Sequence, residues 1–339
     1  MTQPTTTNNE QPDNDQAHWL KLAQVAIAEI PEYEDATVSW MAHTHNAVFS
    51  VQNGPQLAVL TLYKQAVDLS RLQSETVWLD AIAEETDLTV GRIIKLLKIH
   101  DEQNNKIIVG ALRDYVEGAP KDARDLTPHN MHAIGRFLAK LHQFSEQYTP
   151  PADFNRPRLD YKGLFEEGGV YDPGADLASM LSDSLIDAIE VAMQRIHLAM
   201  DSMGTDHNAF GLIHGDLLSK NILFYHNEVR AIDWEYSGWG YYLYDLTPLL
   251  WQLKTQANYD ELAAAYWGGY TSQRPLPDEY AHFLDTFIAA RHIASIRWLT
   301  QNLDHPLVKE HGIDLVQQRA EEIAGFVATN KMQRRTITL

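Results

Sequence analysis

The sequence predicts an α+β chain of two lobes, a small antiparallel β-sheet lobe followed by a larger, mostly helical lobe. Three observations predict this. Between residues 48 and 113, short apolar runs alternate with turn residues. From Thr127 onward, apolar positions recur at helical spacing. Among those helices lies GLIHGDLLSKNILFYHNEVRAIDWEYSGWGYYLYDL, residues 211–246, which sets His214, Asp216, Asn221 and Asp233 in a fixed order. A chain of 339 residues is long enough for two domains or one two-lobed unit with a substantial core.

Residues 1–15 are rich in Thr, Asn, Gln, Pro and Asp and are expected to be a disordered tail. The first lobe is expected over 16–113, the second over 114–330, and a short basic tail over 331–339. Residues 16–30 place Trp19, Leu22, Ala23, Ala26 and Ile27 on one helical face, and Pro31 ends that helix. Two strands follow, Val48–Val51 and Leu57–Tyr63, joined through the hairpin signal Asn53-Gly54. Before them, MAHTHNA (41–47) stands where a phosphate-cradling loop would sit. It lacks glycine, and Thr44 and Asn46 are its candidate side-chain donors.

Residues 67–86 read as a helix carrying Glu75, and 90–99 and 107–113 as two more strands around DEQNNK. LRDYVEGAP (112–120) reads as an exposed crossover between the lobes. The helix 131–145 repeats Ile134, Phe137, Leu138 and Leu141, and its His142 is expected to be a core or capping residue. Residues 150–176 are loop-like, rich in Pro and Gly. Further helices are expected at 177–203, 245–272, 278–302 and 312–330.

The formal net charge of −19 disfavours a polyanionic partner such as DNA or RNA. No run of eighteen apolar residues occurs, so no membrane span is expected. The polar N-terminus lacks the apolar core of a secretion signal, and a cytoplasmic location is expected. The absence of cysteine rules out disulfides, thiolate catalysis and Cys-zinc sites, and fits a reducing compartment.

The central stretch carries the chemistry. Protein kinases use H-R-D-x-x-x-x-N followed by a metal-binding Asp in D-F-G. This chain reads H-G-D-L-L-S-K-N and then D-W-E. Asp216, on a loop after a short strand, is placed to accept the proton of an attacking hydroxyl. Asn221 and Asp233 are oxygen ligands suited to Mg2+. NILFY and VRAIDW form a hairpin about His226-Asn227 that turns Asn221 and Asp233 back toward each other. His214 is expected to orient the loop by hydrogen bonding, and Asp245 to brace it.

These residues resemble the aminoglycoside phosphotransferase/choline kinase family, which has a protein-kinase-like fold. HGDLLSKN is similar to its catalytic motif, and IDWEYSG to a segment of choline, ethanolamine and thiamine kinases. GWGYYLYDL, GRFLAKLH and RHIASIRWL look closer to the homoserine-kinase-like and stress-response-kinase-like branch. The resemblance covers about residues 38–327. It implies that Asp216 is the base, that Asn221 and Asp233 bind Mg2+, and that ATP is the donor. Glu75 matches the helix Glu that pairs with a strand cation.

The family commonly has Lys or Arg where this chain has Thr61. Lys64 has opposite strand parity and would face the nucleotide only through a bulge. Without that cation, Glu75 is left unpaired. Lys220 is a candidate for the transferring phosphate. Adenine is expected against the backbone near Arg113, Asp114 and Tyr115.

Candidate acceptor-binding residues are Trp234, Glu235, Tyr236, Trp239, Tyr241 and Tyr242, whose aromatics can box an amine. Arg291 and Arg297 can take a carboxylate or phosphate. The acceptor is expected to be a hydroxyl on a small metabolite, an amino alcohol or a hydroxyl-bearing amino acid. A protein Ser/Thr side chain is the alternative, disfavoured by Leu218 where protein Ser/Thr kinases usually have Lys. A nucleotide-binding pseudokinase is the other, suggested by Thr61 and the glycine-free loop.

Overall fold

The computed structural model describes residues 14–43, 46–172, 177–277, 280–303 and 305–332. The described chain falls into two compact units. One runs up to Asp68 and adds Arg92–Tyr115; the other comprises Leu69–Gly91 and the chain from Val116 onward.

The first unit is a five-stranded antiparallel sheet with one helix. Helix α1 (Asn14–Ala28) starts inside the stretch expected to be a tail. Strands β1 (Thr37–His43), β2 (Ala47–Asn53) and β3 (Gln56–Leu62) precede the unit's later pair of strands. The labels α2 (Leu69–Glu85), β4 (Ile93–Asp101) and β5 (Lys106–Asp114) follow in chain order, and the sheet order is β1-β2-β3-β5-β4. Gly54 takes φ +57 at the β2–β3 turn, as the Asn-Gly signal requires. Ala47, Phe49 and Val51 of β2 and Ala58, Leu60 and Leu62 of β3 share one buried face. Trp19, Leu22, Ala23, Ala26 and Ile27 of α1 join the same apolar cluster.

Strand β1 was not anticipated. Residues 41–43, read as loop, are its last three residues, and its register shifts between Trp40 and Ala42, which breaks the alternation that marks a strand. Thr44 lies outside the described residues, and Asn46 is half-buried just before β2.

Helix α2 belongs to the second unit rather than to the sheet lobe expected over 16–113. The reason is apolar: its Trp78 is buried and stacks on Phe144 at 5.4 Å. That unit continues through β6 (Ala119–Pro120), α3 (Pro128–Gln147), β7 (Arg158–Leu159), α4 (Tyr161–Phe165) and α5 (Asp183–Met203). Then come β8 (Phe210–Ile213), β9 (Ile222–Tyr225), β10 (Glu228–Ala231) and β11 (Gly238–Tyr241). Helices α6 (Tyr242–Asp245), α7 (Thr247–Leu253), α8 (Tyr259–Thr271), α9 (Tyr280–Gln301) and α10 (Pro306–Thr329) complete it. Two small sheets, β10-β9-β6 and β7-β11-β8, lie among these helices. Helix α10 begins earlier than the expected 312 and is kinked at Gly312, whose φ is 37°.

Two glycines let α3 and α8 approach closely. A Cβ on Gly135 of α3 would lie 2.2 Å from the Tyr266 carbonyl oxygen of α8, and one on Gly269 would lie 2.1 Å from that of His132. This approach brings His142 on α3 against Tyr270 on α8. Gly135→Ala is therefore expected to lower the unfolding free energy by about 1–3 kcal/mol or more through overpacking. Gly268→Ala, whose Cβ meets nothing within 4 Å, should instead be neutral or stabilising by about 0.5–1 kcal/mol. Urea denaturation of both variants checks the contrast.

Candidate active site

The site is built outward from β8. All four of its residues are buried, and it pairs antiparallel with β11. The chain leaves the strand at His214 and turns at Gly215, where φ is +81°. A Cβ there would sit 2.6 Å from the Tyr236 carbonyl oxygen. Backbone angle and space together require glycine where protein kinases carry Arg.

Asp245, at the end of α6, fixes this turn. Its Oδ2 accepts the His214 amide at 2.9 Å and its Oδ1 accepts the Gly215 amide at 2.7 Å. His142 Nε2 donates to Oδ2 at 3.0 Å, while His142 Nδ1 accepts the Tyr270 hydroxyl at 2.8 Å. Tyr270 in turn receives Arg274 Nη1 at 3.0 Å. Burial pushes the Asp245 carboxyl up, but the bonds from His142 and His214 outweigh it and hold it below its ordinary value. Burial lowers the His142 pKa. A neutral imidazole thus donates to a carboxylate inside the core.

His214 spends both ring nitrogens on backbone. Nε2 donates to the Ile232 carbonyl at 3.1 Å and Nδ1 accepts the Asp216 amide at 3.4 Å. Its ring packs on Trp234 at 4.6 Å. The imidazole thus links the turn to the residue preceding Asp233.

Asp216 is buried at 7 % exposure. Its Oδ1 receives Arg291 Nη2 from α9 at 2.5 Å. Burial raises its pKa, although Arg291 and Lys220 oppose the shift. Asn221 closes a 3₁₀ turn, Ser219–Asn221, and its Nδ2 donates to the Asp216 carbonyl at 2.9 Å. That leaves Oδ1 as the Asn221 atom able to ligate a cation. The β9–β10 hairpin turns at His226, which takes φ 52°, and the Ile232 amide then bonds to the Asn221 carbonyl at 3.0 Å. Asp233 follows, exposed and at φ 67°. Lys220 is exposed on the same 3₁₀ turn.

Among the described residues, no three His, Asp or Glu side chains form a metal cage. Two oxygen ligands on a hairpin, one of them exposed, fit a cation that completes its shell with phosphate and water, as Mg2+ does.

The nucleotide candidates are spread over both units. In the first, Thr61 is half-buried in β3, opposite Val48 and Ala111. The β2–β3 register runs unbroken, so no bulge re-aims Lys64. Strand β3 ends at Leu62, and Lys64 lies beyond it in a bend, where strand parity no longer dictates its direction. Burial lowers its pKa. Arg113 and Asp114 end β5, bonded to Tyr63 (3.1 Å) and Arg92 (3.2 Å), and Tyr115 is exposed.

In the second unit, Glu75 is fully buried and Arg156 Nη1 donates to its Oε2 at 3.3 Å. The expectation that Glu75 goes unpaired is corrected: its cation comes from the loop after α3. Sequence reading passed over Arg156, since nothing local marks an arginine whose partners lie about eighty residues away.

The aromatic run divides. Trp234, Tyr241 and Tyr242 are core residues; Trp234 Nε1 donates to Ala231, and the Tyr241 hydroxyl to the Met200 carbonyl. Glu235 is exposed, and Trp239 is half-buried, edge-on to Phe154. Tyr236 lies parallel to Tyr171 at 6.1 Å, and the Tyr171 hydroxyl receives Arg291 Nη1 at 3.0 Å. Arg297 donates to the Phe165 and Tyr171 carbonyls and is occupied in holding backbone.

The APH family, the phosphotransferase enzyme family, matches residues 42–283. The chain belongs to this family. An uncharacterized protein of Deinococcus radiodurans is 30% identical over 182 residues, 52% of this chain and 51% of that protein. The amicoumacin kinase of Bacillus subtilis is 22% identical over 220 residues, 62% of this chain and 60% of that protein. The chain thus spans about half to three-fifths of the length of these curated relatives.

Among solved structures, a microcompartment-associated aminopropanol kinase superposes with a TM-score of 0.77 at 21% identity, over 92% of this chain and 99% of that one. An amicoumacin kinase in complex with AMP-PNP, Ca2+ and Ami gives 0.73 at 16% identity, over 95% and 96%. An ethanolamine kinase of Plasmodium vivax gives 0.60 at 14% identity, over 94% and 90%. These likenesses show the protein-kinase-like fold, an antiparallel sheet followed by a mostly helical unit. No helix among the described residues is long and apolar enough to cross a membrane.

The buried imidazoles make stability depend on pH. Burial lowers the pKa of both His142 and His292. Below the unfolded value of about 6.5 the unfolded chain binds more protons than the native one. Unfolding free energy is therefore expected to be level above neutrality and to fall as pH drops from about 7 to 5. The slope is at most about 1.4 kcal/mol per pH unit for each histidine. Urea denaturation across this range should show His142→Asn less stable at pH 7.5 but with a shallower slope than the unaltered chain. Parallel slopes would remove His142 from this account.

Proposed function

We propose that this chain transfers the γ-phosphoryl group of ATP to a hydroxyl of a small metabolite, with Mg2+ as the divalent cation. The observation that carries this reading is the buried, fully braced turn that presents Asp216 beside the Asn221–Asp233 hairpin. Arg291 occupies Oδ1 of Asp216, so Oδ2 is the oxygen that takes the acceptor's proton. The acceptor oxygen forms its bond to the γ-phosphorus as the bridge to the β-phosphate breaks, and ADP leaves. Asn221 and Asp233 would hold Mg2+, which neutralises charge on the phosphate oxygens when bound. Lys220, exposed on the adjoining turn, is the residue of this loop able to meet the transferred phosphate.

Arg291 narrows the acceptor class. Arg291 Nη1 and Nη2 already bond Tyr171 and Asp216, so its pull on an acceptor carboxylate, and its repulsion of the ammonium of a plain amino alcohol, act as charge rather than as a fork. Tyr171 and Tyr236 border the same corner as parallel rings. We therefore favour a hydroxyl-bearing amino acid over a simple amino alcohol. A small molecule in a cytoplasmic setting, rather than a protein or nucleic acid, suits the net charge and the Leu218 position.

The test is ADP release from MgATP with paired acceptors, homoserine and 3-aminopropan-1-ol, which differ by one carboxylate. Homoserine is expected to be preferred, and Asp216→Asn to lower kcat by roughly 10²–10⁴-fold. Arg291→Met should abolish the preference, costing about 10²-fold in kcat/KM for the carboxylate-bearing acceptor. Equal turnover of both acceptors would sink the carboxylate assignment. ADP release unchanged by Asp216→Asn would sink the phosphotransfer reading and favour a nucleotide-binding protein without chemistry.

A further inference from the structure

Arg156 lies in the loop between α3 and β7, and its side chain is buried at 2 % exposure. Six of its hydrogen bonds tie two segments together. Four go to the turn just after Asp233: Nη2 to the carbonyls of Trp234 (2.9 Å) and Glu235 (2.8 Å) and to Ser237 Oγ (2.8 Å), and Nε to the Ser237 carbonyl (2.7 Å). Two go to α2, from Nη1 to the Arg71 carbonyl at 3.1 Å and to Glu75 Oε2 at 3.3 Å. The turn itself is closed by the Ser237 amide on the Trp234 carbonyl at 2.9 Å.

Asp233 needs such support. At φ 67° it occupies the left-handed region, which a non-glycine residue holds only when its surroundings over-determine it. On its upstream side Ile232 is held by His214 and Asn221. On its downstream side, four bonds from Arg156 hold residues 234–237. A planar fork with five N–H donors, one of them shared, suits four convergent carbonyls, a hydroxyl and a carboxylate in a way an ammonium cannot.

We propose that Arg156 is a positioning residue that sets the orientation of Asp233 for the divalent cation, and that Glu75 acts through it. This rests on the phosphotransfer reading for the role of Asp233. Helix α2 is then coupled to the metal ligand through a guanidinium, Glu75–Arg156–(234–237)–Asp233. A cation holding both helix and turn makes metal affinity sensitive to α2, even though α2 supplies no ligand.

The experiment is binding of Mn2+ with AMP-PNP, read by the loss of free Mn2+ electron paramagnetic resonance signal, on the full chain and on Arg156→Lys, Glu75→Gln and Ser237→Ala. No turnover is involved. Arg156→Lys is expected to weaken Mn2+ binding about 10–100-fold, the range seen when residues supporting metal ligands are changed. Hydrogen exchange of residues 232–238 should accelerate while that of β8 does not. Ser237→Ala, which removes one of the six acceptors, should weaken binding by a few-fold and remains informative if Arg156→Lys does not fold.

Mn2+ affinity within twofold of the unaltered chain in folded Arg156→Lys, or in both Glu75→Gln and Ser237→Ala, overturns the proposal. If the unaltered chain binds Mn2+ but phosphorylates no acceptor, the functional reading fails while the Arg156 inference is still decided by these affinities. If it turns over and Arg156→Lys binds Mn2+ normally, only the inference fails.

Discussion

A single buried carboxylate holds the turn that carries Asp216. Asp245 accepts the amides of His214 and Gly215 and the imidazole of His142, so none of its charge is left unsolvated in the core. The arrangement works because each member limits the next. Tyr270 and Arg274 fix the His142 tautomer, His142 faces Asp245, and Asp245 sets the backbone that places Asp216. The glycine contact between α3 and α8 lies at the root of this chain, since it brings His142 and Tyr270 together. A methyl group at Gly135 would reach the turn that carries Asp216 through Tyr270, His142 and Asp245.

The molecule is acidic overall, with 46 Asp and Glu against 27 Lys and Arg, yet its buried charges include several arginines. Arg156, Arg274, Arg291 and Arg297 all lie inside the helical unit. Each is bonded to acids, phenols or carbonyls rather than to solvent. Burying a guanidinium is costly unless its donors are used, and convergent carbonyls use them well. Arg291 is paired with Asp216, and Arg156 joins Glu75 to the turn that follows Asp233. The acidic exterior disperses negative charge over the surface, and the interior supplies the local exception.

Much of the fold was legible because its signals are local. Asn53-Gly54 specifies a hairpin through the backbone angles of two residues, and α3 announces itself by the spacing of Ile134, Phe137, Leu138 and Leu141. Strand β1 was missed because its bulge at Trp40–Ala42 disrupts the period that would reveal it. Periodicity shows that α2 has an apolar face, not that Trp78 on that face meets Phe144. Strand parity does not govern Lys64, because β3 ends at Leu62.

The sequence by itself determined the family, the fold class and the order His214, Asp216, Asn221, Asp233, because loop and hairpin chemistry is written in adjacent residues. Tertiary structure alone decided which charges meet. Glu75 pairs with Arg156 across 81 residues, and Asp216 with Arg291 across 75. Ion pairs of that separation depend on how helices and loops pack around a shared core, and no spacing rule along the chain encodes that.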